Sequence, residues 1–138
     1  MPFREKTAWI SLLATLAVYG GYFASLALAG GEERPAAAFG RLVGATVLFI
    51  VLMIVLTVIT AVLAPKDAAA PPDEREKLIS LKASQFSYFA LSSGAFAAIV
   101  ALFVGTDRFF TANFLFFALI VAEIAKDAAQ IVHFRRGA

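Results

Sequence analysis

The chain predicts an all-α integral membrane protein: a four-helix bundle of two antiparallel hairpins with both termini on the cytoplasmic side. Three features of the sequence lead there. The 138 residues are 61% hydrophobic and 16% charged, against about 45–50% and about 25% for soluble domains, so polar surface is too scarce to cover a soluble globule. Four runs approach the roughly 20 apolar residues that cross a bilayer as a helix. Lys and Arg are distributed unevenly between the segments that separate those runs.

The first run extends from about residue 8 to 29 and carries no charge. Its basic flank, MPFREK, and the small-x-small pattern at Ala27, Leu28 and Ala29 fit a cleaved leader. The run is longer than the roughly 7–15 residues of a leader's apolar region, which favours a retained helix. The second run, from about 42 to 64, LVGATVLFIVLMIVLTVITAVLA, is the most hydrophobic of the four. The third, from about 84 to 104, is rich in Ala, Ser and Phe. Its Ala90, Gly94, Ala97 and Ala101 form a small-residue stripe that permits close helix packing. The fourth, from about 109 to 134, is apolar to Ala122 and then interrupted by Glu123, Lys126 and Asp127. Gly and Pro punctuate the first hairpin loop, GGEERPAAAFG. The second loop, GTDR, is so short that the third and fourth spans must be antiparallel neighbours.

Orientation follows from the cations. The N-terminus, the middle linker and the C-terminal end together hold nine Lys and Arg, and the other two loops hold three. The positive-inside rule therefore puts both termini and the linker, 65 to 83, in the cytoplasm. Trp9, Tyr88 and Phe134 then fall near that interface, where amphipathic rings prefer to sit.

The linker's first half, Pro65 to Pro72, reads as irregular because of its prolines. Its second half has a helix-start signature, with Asp73 as cap, Glu76 three residues on and Pro72 before them. A helix starting there should run into the third span and reach roughly 30 residues, about 45 Å, with its first two turns projecting into the cytoplasm. Asp73, Glu74, Arg75, Glu76, Lys77 and Lys82 form a charged surface there. It reads either as a docking site for a soluble protein or as a solvated helix start that fixes topology.

The stretch DEREKLISLKASQFSY, Asp73 to Tyr88, resembles a D-E-R-x-x-x-I-x-x-K-A stretch in a group of small, uncharacterised four-span membrane proteins predicted in bacteria and archaea. Asp73, Glu74, Arg75, Ile79, Lys82 and Ala83 match it. The resemblance implies a bacterial inner-membrane location. In some members it also implies a pairing with helix-turn-helix transcription regulators that the membrane protein restrains. It carries no catalytic residue.

Inside the spans, Glu123, Asp127 and Gln130 are spaced i, i+4, i+7 and share a helix face, with Lys126 placed to pair with Glu123. If hydrocarbon begins near Phe110, Glu123 sits about 20 Å along the helix. There it is an intramembrane carboxylate of the kind that marks proton or ion sites. If the span ends near Ala122, the same residues are the amphipathic end of a helix at headgroup level. His133 continues the stripe but lies more than two turns from Glu123, too far to share a metal ion with it. With no Cys and a single His, neither a thiolate site nor an all-protein zinc site is expected, and no cofactor is expected. Walker, HExxH, GxSxG and GxGxxG patterns are absent, so the chain does not read as an enzyme.

Three functions stay open. The first is a non-catalytic membrane protein that binds or regulates a cytoplasmic partner. The second is a small dimeric proton-coupled transporter using Glu123. The third is a structural subunit of a membrane complex. The expected partners are the lipid bilayer, another protein and, for the last two readings, a further copy of the chain. Direct nucleic-acid binding is not expected.

Overall fold

The computed structural model describes residues 2–29 and 34–136. The Gly30–Gly31 punctuation of the first loop lies outside them. Among the described residues five helices follow in order: α1 (Phe3–Leu28), α2 (Pro35–Leu63), α3 (Pro65–Ala69), α4 (Glu74–Phe103) and α5 (Arg108–Arg136). Four of them are long and apolar enough to cross a membrane. The chain divides into two compact units, Met1–Pro71 and Pro72–Ala138.

In the first unit α1 and α2 pack together. α1 starts five residues before the expected span because Arg4, Glu5 and Lys6 continue the helical turn, with the Lys6 N–H donating to the Pro2 carbonyl at 3.1 Å. Glu5, Ala8, Thr15, Tyr19 and Tyr22 are buried along it, close to the i, i+3, i+7 rhythm of one helical face. The Tyr19 hydroxyl donates to Thr46 Oγ1 at 3.4 Å, and its ring lies 5.3 Å from that of Phe49, tilted by 45°. A threonine inside an apolar helix usually returns its hydroxyl to a carbonyl one turn back. Thr60 does so, to Leu56 O at 2.8 Å, whereas Thr46 instead joins the two helices. α2 has Pro35 in its first turn, a position where the missing N–H costs nothing. Between Val43 and Leu63 its bulky aliphatic side chains are largely exposed, an apolar area far beyond what water tolerates on a monomer.

The segment expected to be irregular holds the short helix α3. Pro65 occupies its first position, where a fixed φ starts a turn, and Asp67 sits in that turn at the positive end of the helix dipole. The helix stops after one turn, and Pro71 and Pro72 follow.

The second unit is a hairpin of α4 and α5. As expected, α4 is continuous through the linker's second half and is 30 residues long. Its cap is a full capping box. The Glu76 N–H donates to Asp73 Oδ1 at 2.7 Å, and the Asp73 N–H donates to Glu76 Oε2 at 3.2 Å. Asp73→Ala should therefore cost about 1 kcal/mol, measured as a lower unfolding midpoint in detergent.

The hairpin turn is closed at both ends. Gly105 has φ +90°, a conformation that glycine adopts without a Cβ penalty. It forms a Schellman stop, in which Thr106 N–H donates to Ala101 O at 3.0 Å and Gly105 N–H to Leu102 O at 3.1 Å. Asp107 then caps α5, accepting the Phe110 N–H on Oδ2 at 3.2 Å.

Along the hairpin, Gly94 meets Ala118 so closely that a Cβ built at Gly94 would collide with the Ala118 Cβ. Of the small-residue stripe, Gly94 makes this close approach. Ala90, Gly94 and Ala101 are partly buried, but Ala97 is exposed and Ala98 is buried in its place. The contact follows the i+4 row from Gly94 to Ala98 instead of stepping by three; both steps fall close to the 3.6-residue turn, one on either side of it.

Candidate functional site

The sequence placed its two groups of candidate residues in different segments, and the second hairpin carries both. At its open end lie the start of α4 and the last turns of α5. Acidic residues occupy the first turn of α4, and His133, Arg135 and Arg136 occupy the last turn of α5. Each set suits the dipole of its own helix, so the antiparallel pairing puts both signs of charge side by side.

This end is anchored beneath the charges. Ile79 and Ala83 are completely buried, and Ile131 is buried on α5. The Arg75 guanidinium donates to the Phe134 carbonyl at 2.9 Å. Phe134 lies in the final turn of α5, where carbonyls lack helical donor partners, so Arg75 acts as a C-terminal cap across the hairpin. The start of α4 does not project alone, because α5 accompanies it to Arg136. Ile79→Ala should cost about 2–5 kcal/mol and is expected to loosen this end first, read as faster amide exchange at Glu76 to Ala83.

The other charged residues of the group face outward. Glu74 and Lys77 form an ion pair at 3.1 Å, with side chains 93% and 58% exposed. In that setting the pair is worth a few tenths of a kcal/mol at most. Asp73 and Lys82 are exposed and Glu76 is partly buried. Of the six residues expected on a docking surface, Arg75 is therefore engaged within the hairpin, Asp73 and Glu76 make the cap, and Glu74, Lys77 and Lys82 present the open charge.

The second group does not act as one stripe. Glu123 and Lys126 form an ion pair at 3.7 Å, with both side chains more than a third exposed. Gln130 is partly buried, and Asp127 is only 4% exposed. The i, i+4, i+7 spacing gave Glu123 and Asp127 a common face, but Asp127 is buried and Glu123 is not. The buried carboxylate of this helix is thus Asp127, which sequence reasoning ranked behind Glu123. Among the described residues no three His, Asp or Glu side chains converge as a metal site would need.

In the first unit Tyr19 and Tyr22 are buried, and the Ser25 hydroxyl returns to Tyr22 O at 2.7 Å. On α4, Ser92 is exposed. Asn113 donates to Phe109 O at 3.0 Å within its own helix. Phe110 and Phe117 are at least half exposed.

These features define a class: an all-helical chain with four helices long and apolar enough to span a bilayer and a charged, internally braced end on its second hairpin. No protein family, curated protein or solved structure gives a significant match to the chain.

Proposed function

We propose that the chain is a multi-pass protein of the bacterial inner membrane, with both termini and the 65–83 segment cytoplasmic. In this reading it is non-catalytic and holds a cytoplasmic protein at the membrane, in the way some of the resembling proteins are paired with transcription regulators. Support for insertion comes from the largely exposed aliphatic surface of α2, which lipid would cover, and from the nine-to-three bias of Lys and Arg. One observation carries the docking role. The start of α4 is braced by Ile79, Ala83 and the Arg75 cap, yet leaves Glu74, Lys77 and Lys82 facing outward. A rigid charged surface loses little entropy on binding. Purification in mild detergent should bring down a stoichiometric soluble protein, and a tag at Ala138 should be inaccessible from outside intact cells. A tag labelled from outside would overturn the topology.

A second reading, a proton-coupled transporter, gains from the burial of Asp127, since a carboxylate held inside a membrane helix marks a proton or ion site or a buried pairing. It moves the coupling acid from Glu123 to Asp127. Asp127→Asn should then abolish proton-driven uptake in vesicles while Glu123→Gln preserves it, and the reading fails if neither changes uptake.

A further inference from the structure

An open groove of about 490 Å³ runs between the start of α1 and the end of α2. On α1 its wall is Lys6, Trp9, Ile10 and Leu13, spaced i, i+3, i+4, i+7, so the four share one helical face. On the α2 side the wall is Thr60, Leu63 and Ala64, the last just past the helix end. The volume is in the range of sites that hold a small molecule, roughly 300–1,000 Å³.

Chemistry is graded along the groove. Ile10, Leu13 and Leu63 make its body apolar. Lys6 stands at the end where α1 begins. The Thr60 hydroxyl hydrogen is already committed to Leu56 O, so it leaves the wall without a free donor. Glu5 is buried on the neighbouring stripe with Ala8. The occupant that matches this gradient has a long apolar part beside an anionic head.

Resting on the membrane-inserted reading of α1 and α2, we propose that this groove is a binding site for an anionic phospholipid. One acyl chain lies along Ile10, Leu13 and Leu63, and the headgroup phosphate meets the Lys6 ammonium at the start of α1. Trp9 sits where chain meets headgroup, the level at which indole rings settle in membranes. A basic residue at such a level attracts anionic lipid with an energy that corresponds to a roughly five-fold preference. The bound lipid would fill the end of the hairpin at which α1 starts and α2 stops.

Trp9 is the only tryptophan, so the site carries its own reporter. The full chain is reconstituted in phosphatidylcholine vesicles. Trp9 emission is then followed as either phosphatidylglycerol or phosphatidylcholine, brominated near the headgroup end of its acyl chains, replaces the host lipid. The anionic lipid should quench with about five-fold higher apparent affinity. Lys6→Gln should bring the ratio close to one, and Arg108→Gln on the second hairpin should leave it unchanged. Equal quenching by the two lipids in the unaltered chain would overturn the site, as would a preference that survives Lys6→Gln. Quenching by neither lipid, with the chain recovered outside the vesicles, would overturn membrane insertion itself and the site with it.

Discussion

Reversing Lys77 and Lys82 to glutamate is expected to strip the cytoplasmic partner from the purified protein while the helical hairpin stays folded. Both side chains are exposed. Lys77 gives up only a solvated ion pair with Glu74, so the stability cost stays within about 0.5 kcal/mol. A partner selected by charge responds very differently. Two like-charge juxtapositions at an interface cost several kcal/mol, enough to weaken binding roughly 100-fold or more. Capture of the partner should fall below detection at micromolar concentrations while the helical circular dichroism signal and unfolding midpoint are unchanged. Raising salt should reproduce part of the loss in the unaltered protein, because exposed charges are screened. Arg108→Glu, at the far end of α5, serves as the charge-matched control and should retain the partner. Arg75 is excluded from the pair on structural grounds. Its guanidinium caps the Phe134 carbonyl, so altering it would loosen the last turn of α5 and confuse a binding loss with a folding loss. Retention of the partner by the Lys77, Lys82 double reversal would remove the docking role from this surface.

Hydropathy located the helices well because a run of apolar side chains about 20 residues long has few other uses. It located their ends less well. α1 and α2 begin earlier than the apolar runs do, since a helix needs backbone continuity and not hydrophobicity to take in Arg4, Lys6 or Arg41. The Asp73–Glu76 box was legible because it is a local pattern with a local cause. The roles of Arg75 and Asp127 were not. Arg75 finds its acceptor 59 residues away, and no local spacing encodes that. Glu123 and Asp127 share an i, i+4 relation, yet Asp127 is buried and Glu123 is left half in the open, a difference set by only a few tens of degrees around the helix. The burial of Ala98 and exposure of Ala97 follow from the same cause. A small-residue stripe tells that helices can approach, while the crossing geometry decides which row is used.

That crossing geometry supplies a stability effect whose sign runs against helix propensity. Gly94→Ala should weaken the second hairpin even though alanine is the better helix former. Two terms compete. The substitution gains about 0.8–1.0 kcal/mol of intrinsic helix propensity. Against it, the new Cβ would collide with the Ala118 Cβ, and the Ala118 Cα lies 3.6 Å from the same point. Alanine has no rotamer through which to retreat, so relief requires one helix backbone to move away from the other and to loosen the contacts of Ala98 and Ile120 along with it. Overpacking of this kind costs typically 1–3 kcal/mol, so the clash outweighs the propensity gain. Gly94→Leu, with three more heavy atoms at the same point, should separate the hairpin. The sign can be checked within the same chain. At Gly20, Gly21 and Gly44 nothing lies within 4 Å of the place an alanine methyl group would take, so alanine there should be neutral or slightly stabilising. A compensating pair makes the test sharper. Ala118→Gly alone removes a methyl group and should destabilise, whereas Gly94→Ala with Ala118→Gly returns the methyl group to the interface from the opposite helix and should recover most of the loss. A double-mutant cycle on unfolding in detergent should therefore give a coupling of at least about 1 kcal/mol. Additivity of the two single changes would show that Gly94 and Ala118 do not set the distance between α4 and α5.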